Sequence, residues 1–526
     1  MSFTGELLPY QHEAVDLMCS RGKVLVAYDL GLGKTVLTIA AIERLMDQEK
    51  INEPGLVICL SSLKYQWAAQ IEKFTNGSSK TIVIDGTPAK RKEQYAQAMD
   101  WKNSGIDYVI MNYEQAVNDY KDVEKLPRGF VIADEATAIK SFKSLRSKMI
   151  KKLKCPYSFA LTGTPVENGK PEELFSIMQF VDPTVLGRYD IFDSTFIVRN
   201  YFGGVQRYKN LNTLNATLKT ACVRKRQIDP DVAPYLPETI VSEPIYVPFD
   251  TINNKIYKEI SDSLLVDLDE AISLFSSDID LFGSNYRSDN GPLDELRGRI
   301  MPKLICLRML CDHPALVRHS ANLYASSTLG TEGSKYAAEL MESGILDRAV
   351  KSPKLDVLKE TVVNFLSGDP NNKLVIFTSF VAMTDIIAKE LASFGVNTYT
   401  GKMSAMQKEA SKIEFQTSPT CRILVSSDAG GYGVDLPQAN LLINYDLPWN
   451  SGLALQRNGR IQRASSTWKH VVIQDIIMKG SIEERQHAML QQKMSVANAI
   501  VDGEGLSEDG GLSLSVGSLR QFLQTI

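Results

Sequence analysis

Histidine and cysteine are scarce in this chain, at five and seven among 526 residues. The cysteines are scattered with no C-x-x-C pair, which argues against a disulfide framework or a zinc site. Cys306, Cys311 and His313 lie near one another in sequence, but two thiols and one imidazole make an unconvincing ligand set. His12, His319, His470 and His487 show no grouping, so histidine catalysis gains no support, and His313 before Pro314 reads as structural. No run of about 18 apolar residues occurs, so no membrane span is expected. The N-terminus Met1-Ser2-Phe3-Thr4-Gly5-Glu6 lacks the basic start and apolar centre of a signal peptide, and the expected compartment is the cytosol. A net charge of −4 excludes bulk electrostatic attraction to nucleic acid, although a basic groove can sit on an acidic molecule.

What is present is an ordinary globular composition, 44% hydrophobic and 23% charged, long enough for two large α/β units and a smaller third. Short apolar runs alternate with amphipathic helical patterns, which predicts parallel sheets wrapped by helices. Strands are expected at 23–27, 56–60, 81–84, 108–111, 130–133 and 158–161, and again at 373–377, 422–426, 441–444 and 471–477. Two such series imply two lobes, 1–239 and 351–500. Between them, 240–350 reads as a helical insertion region, and 501–526 as a Gly/Ser-rich tail with a short helix at 518–524. Flexible segments are expected at 276–292 and 326–335, where Ser, Gly and polar residues collect, and 502–512 is rich in Gly, Glu and Ser.

The densest signal is Asp29-Leu30-Gly31-Leu32-Gly33-Lys34-Thr35, which follows an apolar strand and opens a helical pattern running to Met46. Backbone N–H groups at such a turn favour phosphate; Gly33 permits close approach, Lys34 reaches the outer phosphates, and the Thr35 hydroxyl suits Mg²⁺. Tyr28 departs from the general phosphate-loop pattern, which has Gly there. Upstream, Gln11 has an amide able to read the edge of adenine. Val131 to Thr137 is an apolar strand ending in two acids, of which Asp134 can hold Mg²⁺ through water and Glu135 can deprotonate an attacking water. Leu161-Thr162-Gly163-Thr164-Pro165 ends another strand with small hydroxyl residues able to link a nucleotide site to a bound strand.

In the second half, Gln456-Arg457-Asn458-Gly459-Arg460-Ile461-Gln462-Arg463 puts Arg460 and Arg463 three apart, on one face if helical. Two guanidinium groups suit a triphosphate whose terminal bond is breaking. The glycines of Ser426 to Asp435 make a loop able to admit a sugar-phosphate backbone and a ribose.

In order, these runs resemble the core of helicase superfamily II, and specifically its Swi/Snf-type (Snf-two) DNA-translocating ATPases. Ser61 to Trp67 is similar to the family's next motif with Leu60 where Pro is usual; Asp134-Glu135-Ala136-Thr137 matches its Asp-Glu-Ala-His box except at Thr137; Leu161 to Asn168 matches its Thr-Gly-Thr-Pro motif with Glu167 at a common Gln position. Leu307-Arg308 with Cys311-Asp312-His313-Pro314, Asn444 to Asn450, and Glu483-Glu484 narrow the match to this branch. Gly459 stands where many remodelling members carry Asp, which is closer to RapA-like bacterial and phage members. With the chain starting just before the adenine motif, this predicts a bacterial or phage-infected cytoplasm.

The resemblance implies two RecA-like lobes, the first with a helical protrusion after the Thr-Gly-Thr-Pro motif, and a closing helix on the second. It implies ATP and Mg²⁺ in the cleft, bound by Gln11, Gly31, Leu32, Gly33, Lys34, Thr35 and Asp435, with Asp134, Glu135, Arg460 and Arg463 catalytic and Thr35 and Asp134 on the metal. It assigns coupling to Thr162, Gly163, Thr164 and Gln456, and strand-tracking contacts to Ser61, Lys64, Asn112, Tyr113, Thr378, Ser379 and Ser427. The implied activity is a DNA-stimulated ATPase moving along duplex DNA as a monomer with little sequence preference. A strand-separating helicase of DNA or RNA is the nearest rival, and a nucleotide-gated binding module with little hydrolysis the next. Lys140 to Lys154 has seven basic residues and no acid. Phe142, Leu145, Met149 and Leu153 suggest one apolar stripe there, so a solvated helix face is favoured over a DNA patch. Arg224-Lys225-Arg226 matches a basic family element, or else is a surface loop.

Overall fold

The computed structural model describes residues 2–199, 205–275, 291–327, 332–428, 434–503 and 516–525. Gly430, Gly431 and Gly433, and most of the segments 276–292 and 502–512, lie outside the described residues, as do residues 328–331.

Continuous apolar runs build the strands, because a parallel sheet covered on both faces leaves no polar side. In the first sheet these are β1 (Lys23–Tyr28), β2 (Gly55–Cys59), β3 (Lys80–Val83), β4 (Ile106–Asn112), β5 (Val131–Asp134) and β6 (Ser158–Leu161). A two-stranded hairpin, β7 (Ile197–Arg199) and β8 (Val205–Tyr208), precedes the edge strand β9 (Cys222–Lys225). The order is β3-β4-β2-β5-β6-β1-β9, parallel throughout. This order sets β6 between β1 and β5, so the loops that follow these three strands emerge side by side.

The second sheet has the order β10-β16-β15-β12-β14-β13, with β10 (Glu238–Val241), β12 (Leu374–Thr378), β13 (Val396–Tyr399), β14 (Ile423–Ser427), β15 (Leu441–Asn444) and β16 (His470–Met478); β11 (Ile245–Val247) also pairs with β16. The expected strands are all present, shifted by a residue or two. Strands β9, β10, β11 and β13 and the hairpin had no expectation, being short and partly polar.

Three expectations change. The segment 240–350 is not a separate insertion: β10 and β11 join the second sheet, and the helices Thr251–Leu274, Pro292–Asp312, Pro314–Ser326 and Lys335–Glu342 share one core with it. Ser144 accepts a hydrogen bond from Ser147 N, so the basic helix begins only at Leu145; Leu145 is exposed, and Ser147, Ile150 and Leu153 are the buried positions. The expected stripe is therefore rotated. Arg224 and Lys225 lie on β9, and each is ion-paired: Arg224 to Asp29 and Asp502, Lys225 to Glu13 and Asp231, with Arg226 on Asp229 beyond. That run is neither a loop nor a free basic patch.

The helix Ile482–Val501 spans both lobes. Ile482 packs in the second-lobe core, whereas Val496 and Ile500 pack in the first. Asn215 of the first lobe donates to the Ile500 and Val501 carbonyls at 3.0 and 2.8 Å. The chain returns at Val516–Thr525, whose Val516, Leu519 and Leu523 pack with the second-lobe helices.

Candidate nucleotide site between the lobes

The loop after β1 enters the helix Lys34–Asp47 through two left-handed glycines, Gly31 (φ 82°) and Gly33 (φ 78°). Neither admits a side chain. A Cβ on Gly31 would stand 2.6 Å from the Gln462 carbonyl and 2.9 Å from Arg463 Nη1; one on Gly33 would stand 2.4 Å from Gln11 Nε2. Tyr28, the departure from the loop pattern, is buried and donates its hydroxyl to the Tyr10 carbonyl at 2.7 Å, so it braces the preceding segment. Lys34 Nζ donates to the Tyr28 and Asp29 carbonyls at 2.9 and 3.2 Å, and burial lowers its pKa against the pull of Glu135 and Asp134. Thr35 is half-buried beside it.

Gln11 does something other than wait for adenine. Its Nε2 donates to the Leu32 carbonyl at 3.0 Å and its Oε1 accepts from Leu8 N at 2.9 Å, so the amide ties the loop down in this conformation.

The acidic pair sits where β5 ends. Asp134 accepts from Trp67 Nε1 at 2.7 Å on one oxygen and from Glu135 N at 2.9 Å on the other, while its carbonyl accepts from Tyr113 Oη at 2.8 Å. Glu135 is held at φ 48°, an unusual backbone for a residue with a Cβ. Burial, then the neighbouring Asp134 carboxylate, push the Glu135 pKa up to about 7, offset by Lys34 and Arg460. Burial also raises Asp134. Thr164 N donates to Thr162 Oγ1 at 3.1 Å, which turns the chain after β6.

The second lobe supplies the opposite wall. The helix Ser451–Asn458 stops at Gly459, so Arg460 and Arg463 lie beyond it and do not share a helix face. Gly459 is pressed against Leu30, where a Cβ would stand 2.8 Å from Leu30 Cβ; a Cβ on Gly163 would lie 3.1 Å from the same side chain. Leu30 is thus gripped by both lobes. Arg463 Nη2 pairs with Asp435 at 2.6 Å, and Arg460 is buried within electrostatic reach of Glu135. Asn450 Nδ2 donates to Glu167 Oε2 at 3.2 Å, Ser451 donates to the Glu167 carbonyl, and Lys140 pairs with the Glu167 carboxylate.

Four buried polar atoms here have no hydrogen-bond partner among the described residues: Glu135 Oε2, Thr164 Oγ1, Gln456 Oε1 and Arg463 Nε. Unsatisfied buried polar groups are costly, and together they fit a polar, charged occupant of the cleft. Two buried carboxylates that burial pushes towards the neutral form, within electrostatic reach of Lys34, fit a divalent cation in particular.

The strand-tracking residues divide. Ser61 is exposed and Ser379 half-buried. Ser427 is buried with its hydroxyl unpartnered. Lys64, Asn112, Tyr113 and Thr378 are buried and committed elsewhere: Lys64 to Asp85 at 2.9 Å, Asn112 to capping Gln115 N, Tyr113 to Asp134, and Thr378 to Asp446. Their side chains face inward in this conformation. Asp446 also accepts from Ser379 N and is bridged by Arg457, which is fully buried and pairs with Asp428 at 2.6 Å. Trp67, Arg457 and Leu30 had no expected role, and Lys140, expected on a solvated face or a DNA patch, instead pairs with Glu167; all lie in or beside the motif runs, but their partners are distant in sequence.

A cleft between two parallel-sheet lobes, with a phosphate-type loop on one wall and arginines on the other, defines the class of two-lobed helicase-like proteins. Residues 10–316 match the SNF2-related domain and residues 353–465 the helicase conserved C-terminal domain, and the chain belongs to the SNF2-related family. It is 25% identical over 96% of its length to YwqA of Bacillus subtilis, whose name marks it as a candidate ATP-dependent helicase/translocase, and covers 50% of that protein. It is 25% identical over 94% of its length to the ISWI chromatin-remodeling complex ATPase ISW1 of Saccharomyces cerevisiae, covering 41% of it. The chain thus spans half or less of the length of these relatives. Among solved structures, the Hef helicase domain of Pyrococcus furiosus shares the fold (TM-score 0.52, 18% identity, 91% of this chain and 97% of that one). The Sulfolobus solfataricus SWI2/SNF2 ATPase core in complex with dsDNA aligns over 99% of this chain and 97% of that one at 25% identity, with a TM-score of 0.42.

Proposed function

We propose that this chain is a DNA-stimulated ATPase that moves along duplex DNA. The observation that carries the reading is Arg463 of the second lobe lying against Gly31 of the phosphate loop, so that the site is complete only when the lobes meet. Lys34 leaves its carbonyl partners to take the outer phosphates, with loop N–H groups on the rest. Thr35 and Asp134 would hold Mg²⁺, which when bound offsets phosphate charge. Glu135 takes the proton of the attacking water through its unpartnered Oε2. Arg460 and Arg463 stabilise the charge that develops on the transferred group. Leu30 and Glu167, each touching both lobes, make closure and site assembly one event.

Duplex DNA is the proposed track, held through phosphates near Ser61, Ser379 and Ser427, without sequence information. The name of YwqA, a candidate ATP-dependent helicase/translocase, supports a translocating motor. Gly459, standing where many remodelling members carry Asp, is read as the RapA-like form of the arginine motif and with it a bacterial or phage origin. The test is phosphate release with and without duplex DNA, paired with displacement of a triplex strand. Stimulated release with triplex displacement and no unwinding of a forked duplex is expected. Unwinding would make the chain a strand-separating helicase, and absence of stimulation by any nucleic acid would refute both.

A further inference from the structure

The basic run on β9 has a use that the nucleotide site itself does not explain. Asp29 immediately precedes the phosphate loop, and its backbone carbonyl holds Lys34 Nζ. An uncompensated carboxylate at that point would repel a triphosphate and compete for Lys34. Arg224 removes the problem. Its Nη1 donates to Asp29 Oδ1 at 2.6 Å and to the Ala27 carbonyl at 2.8 Å, and Gln227 N donates to the second Asp29 oxygen at 3.0 Å. The other side of the guanidinium is fixed by Asp502, which accepts from Arg224 Nε at 2.8 Å. Asp502 is the residue directly after the lobe-spanning helix Ile482–Val501, and its side chain is only 4% exposed. The carboxylate arrives there because Val496 and Ile500 are buried in the first lobe and Asn215 grips the last two carbonyls of the helix.

Resting on the nucleotide reading above, we propose that Arg224 is a positioning residue for ATP binding: it keeps Asp29 neutralised and turned from the phosphates, and the docked end of the lobe-spanning helix holds it there through Asp502. The phosphate loop thereby senses whether that helix is seated. Arg224 touches no phosphate in this scheme and acts only through Asp29.

The experiment measures binding of fluorescently labelled ATP and steady-state turnover by the full chain. Arg224→Gln should weaken ATP binding and raise KM by about tenfold with kcat within about twofold, and Asp29→Asn combined with Arg224→Gln should restore binding. A merely structural pair would lower the melting temperature of Arg224→Gln and leave the KM of its folded fraction unchanged. Asp502→Asn should weaken binding by about threefold and add nothing in the Arg224→Gln background. Should Arg224→Gln not fold, Asp502→Asn and its pairing with Asp29→Asn carry the same test. Unchanged binding in Arg224→Gln, or no rescue by Asp29→Asn, overturns the proposal alone; in the fallback pair the same holds for Asp502→Asn. A wild-type chain that binds no labelled ATP overturns the nucleotide reading and this proposal with it.

Discussion

Glu135 combines a strained backbone with a reluctant charge, and both follow from its place after a buried strand end. Its pKa stands at about 7 against an ordinary 4.5, so the folded chain holds a proton that the unfolded chain has already lost between those values. Folding therefore loses stability as pH rises through that window. Glu135→Gln should melt at a higher temperature than wild type at pH 8 without nucleotide or Mg²⁺, and the two should converge towards pH 5; equal melting at pH 8 would count against the raised pKa. In turnover the sign is opposite, because a base must be ionised. The kcat/KM of the wild type should rise with pH through about 7, and Glu135→Gln should lose about 10²–10⁴-fold in kcat while still binding ATP. Arg463→Ala should likewise bind ATP yet lose about 10³–10⁵-fold in phosphate release. The loop and the acidic pair are legible in sequence because each is a local run with its own chemistry. The Trp67–Asp134 bond is not, since its partners stand 67 residues apart and only the sheet order joins them.

Between residues and lobes, the ends of elements carry the organisation. Lys354, fully buried at the start of the helix Pro353–Gly368, pairs with Asp312 at 3.0 Å and Glu483 at 2.6 Å. Asp312 ends one helix, Glu483 opens the lobe-spanning one, and Tyr445 beside β15 donates its hydroxyl to the Asp312 carbonyl at 2.8 Å. His313 Nδ1 accepts from Ala315 N at 3.0 Å and caps the next helix, which gives this histidine its structural task. The branch-specific motifs are thus parts of one buried ionic junction. Lys354→Met would leave two carboxylates buried without their cation and should cost about 3–5 kcal/mol, measurable by urea denaturation. A cost under about 1 kcal/mol would mean that water reaches the pair. Strand cores are readable from apolar runs, but β9, β10 and β13 are short edge strands whose polar residues hide them. The arginine motif misleads for another reason: its helix ends at Gly459, where Leu30 from the far lobe leaves no room for a side chain, so Arg460 and Arg463 fall beyond the last turn.

At the scale of the molecule, two parallel sheets are joined across the loops around Leu30 and Glu167, and the helices of 251–342 belong to the second. That membership is not legible from composition, because a helix that covers a distant sheet has the same pattern as one that forms its own bundle. For the proposed track, phosphate contacts should dominate, so half-saturation of ATPase stimulation should rise steeply with KCl and be the same for unrelated duplex sequences. A strong preference for one sequence would point to base readout.

The helix Ile482–Val501 has twenty residues and hence is a rod of about 30 Å with one end sunk in each lobe. A rod of fixed length acts as a ruler. The cleft cannot widen unless the rod tilts, melts its last turns or withdraws Val496 and Ile500 from their seats. Amides at 496–501 should therefore exchange with solvent more slowly when a non-hydrolysable ATP analogue holds the lobes together, although the analogue sits elsewhere. Protection confined to residues 29–35 would mean that the lobes part without disturbing the ruler. If it spreads to the rod, the opening of the cleft can be read as a hydrogen-exchange rate at a place that never meets the fuel.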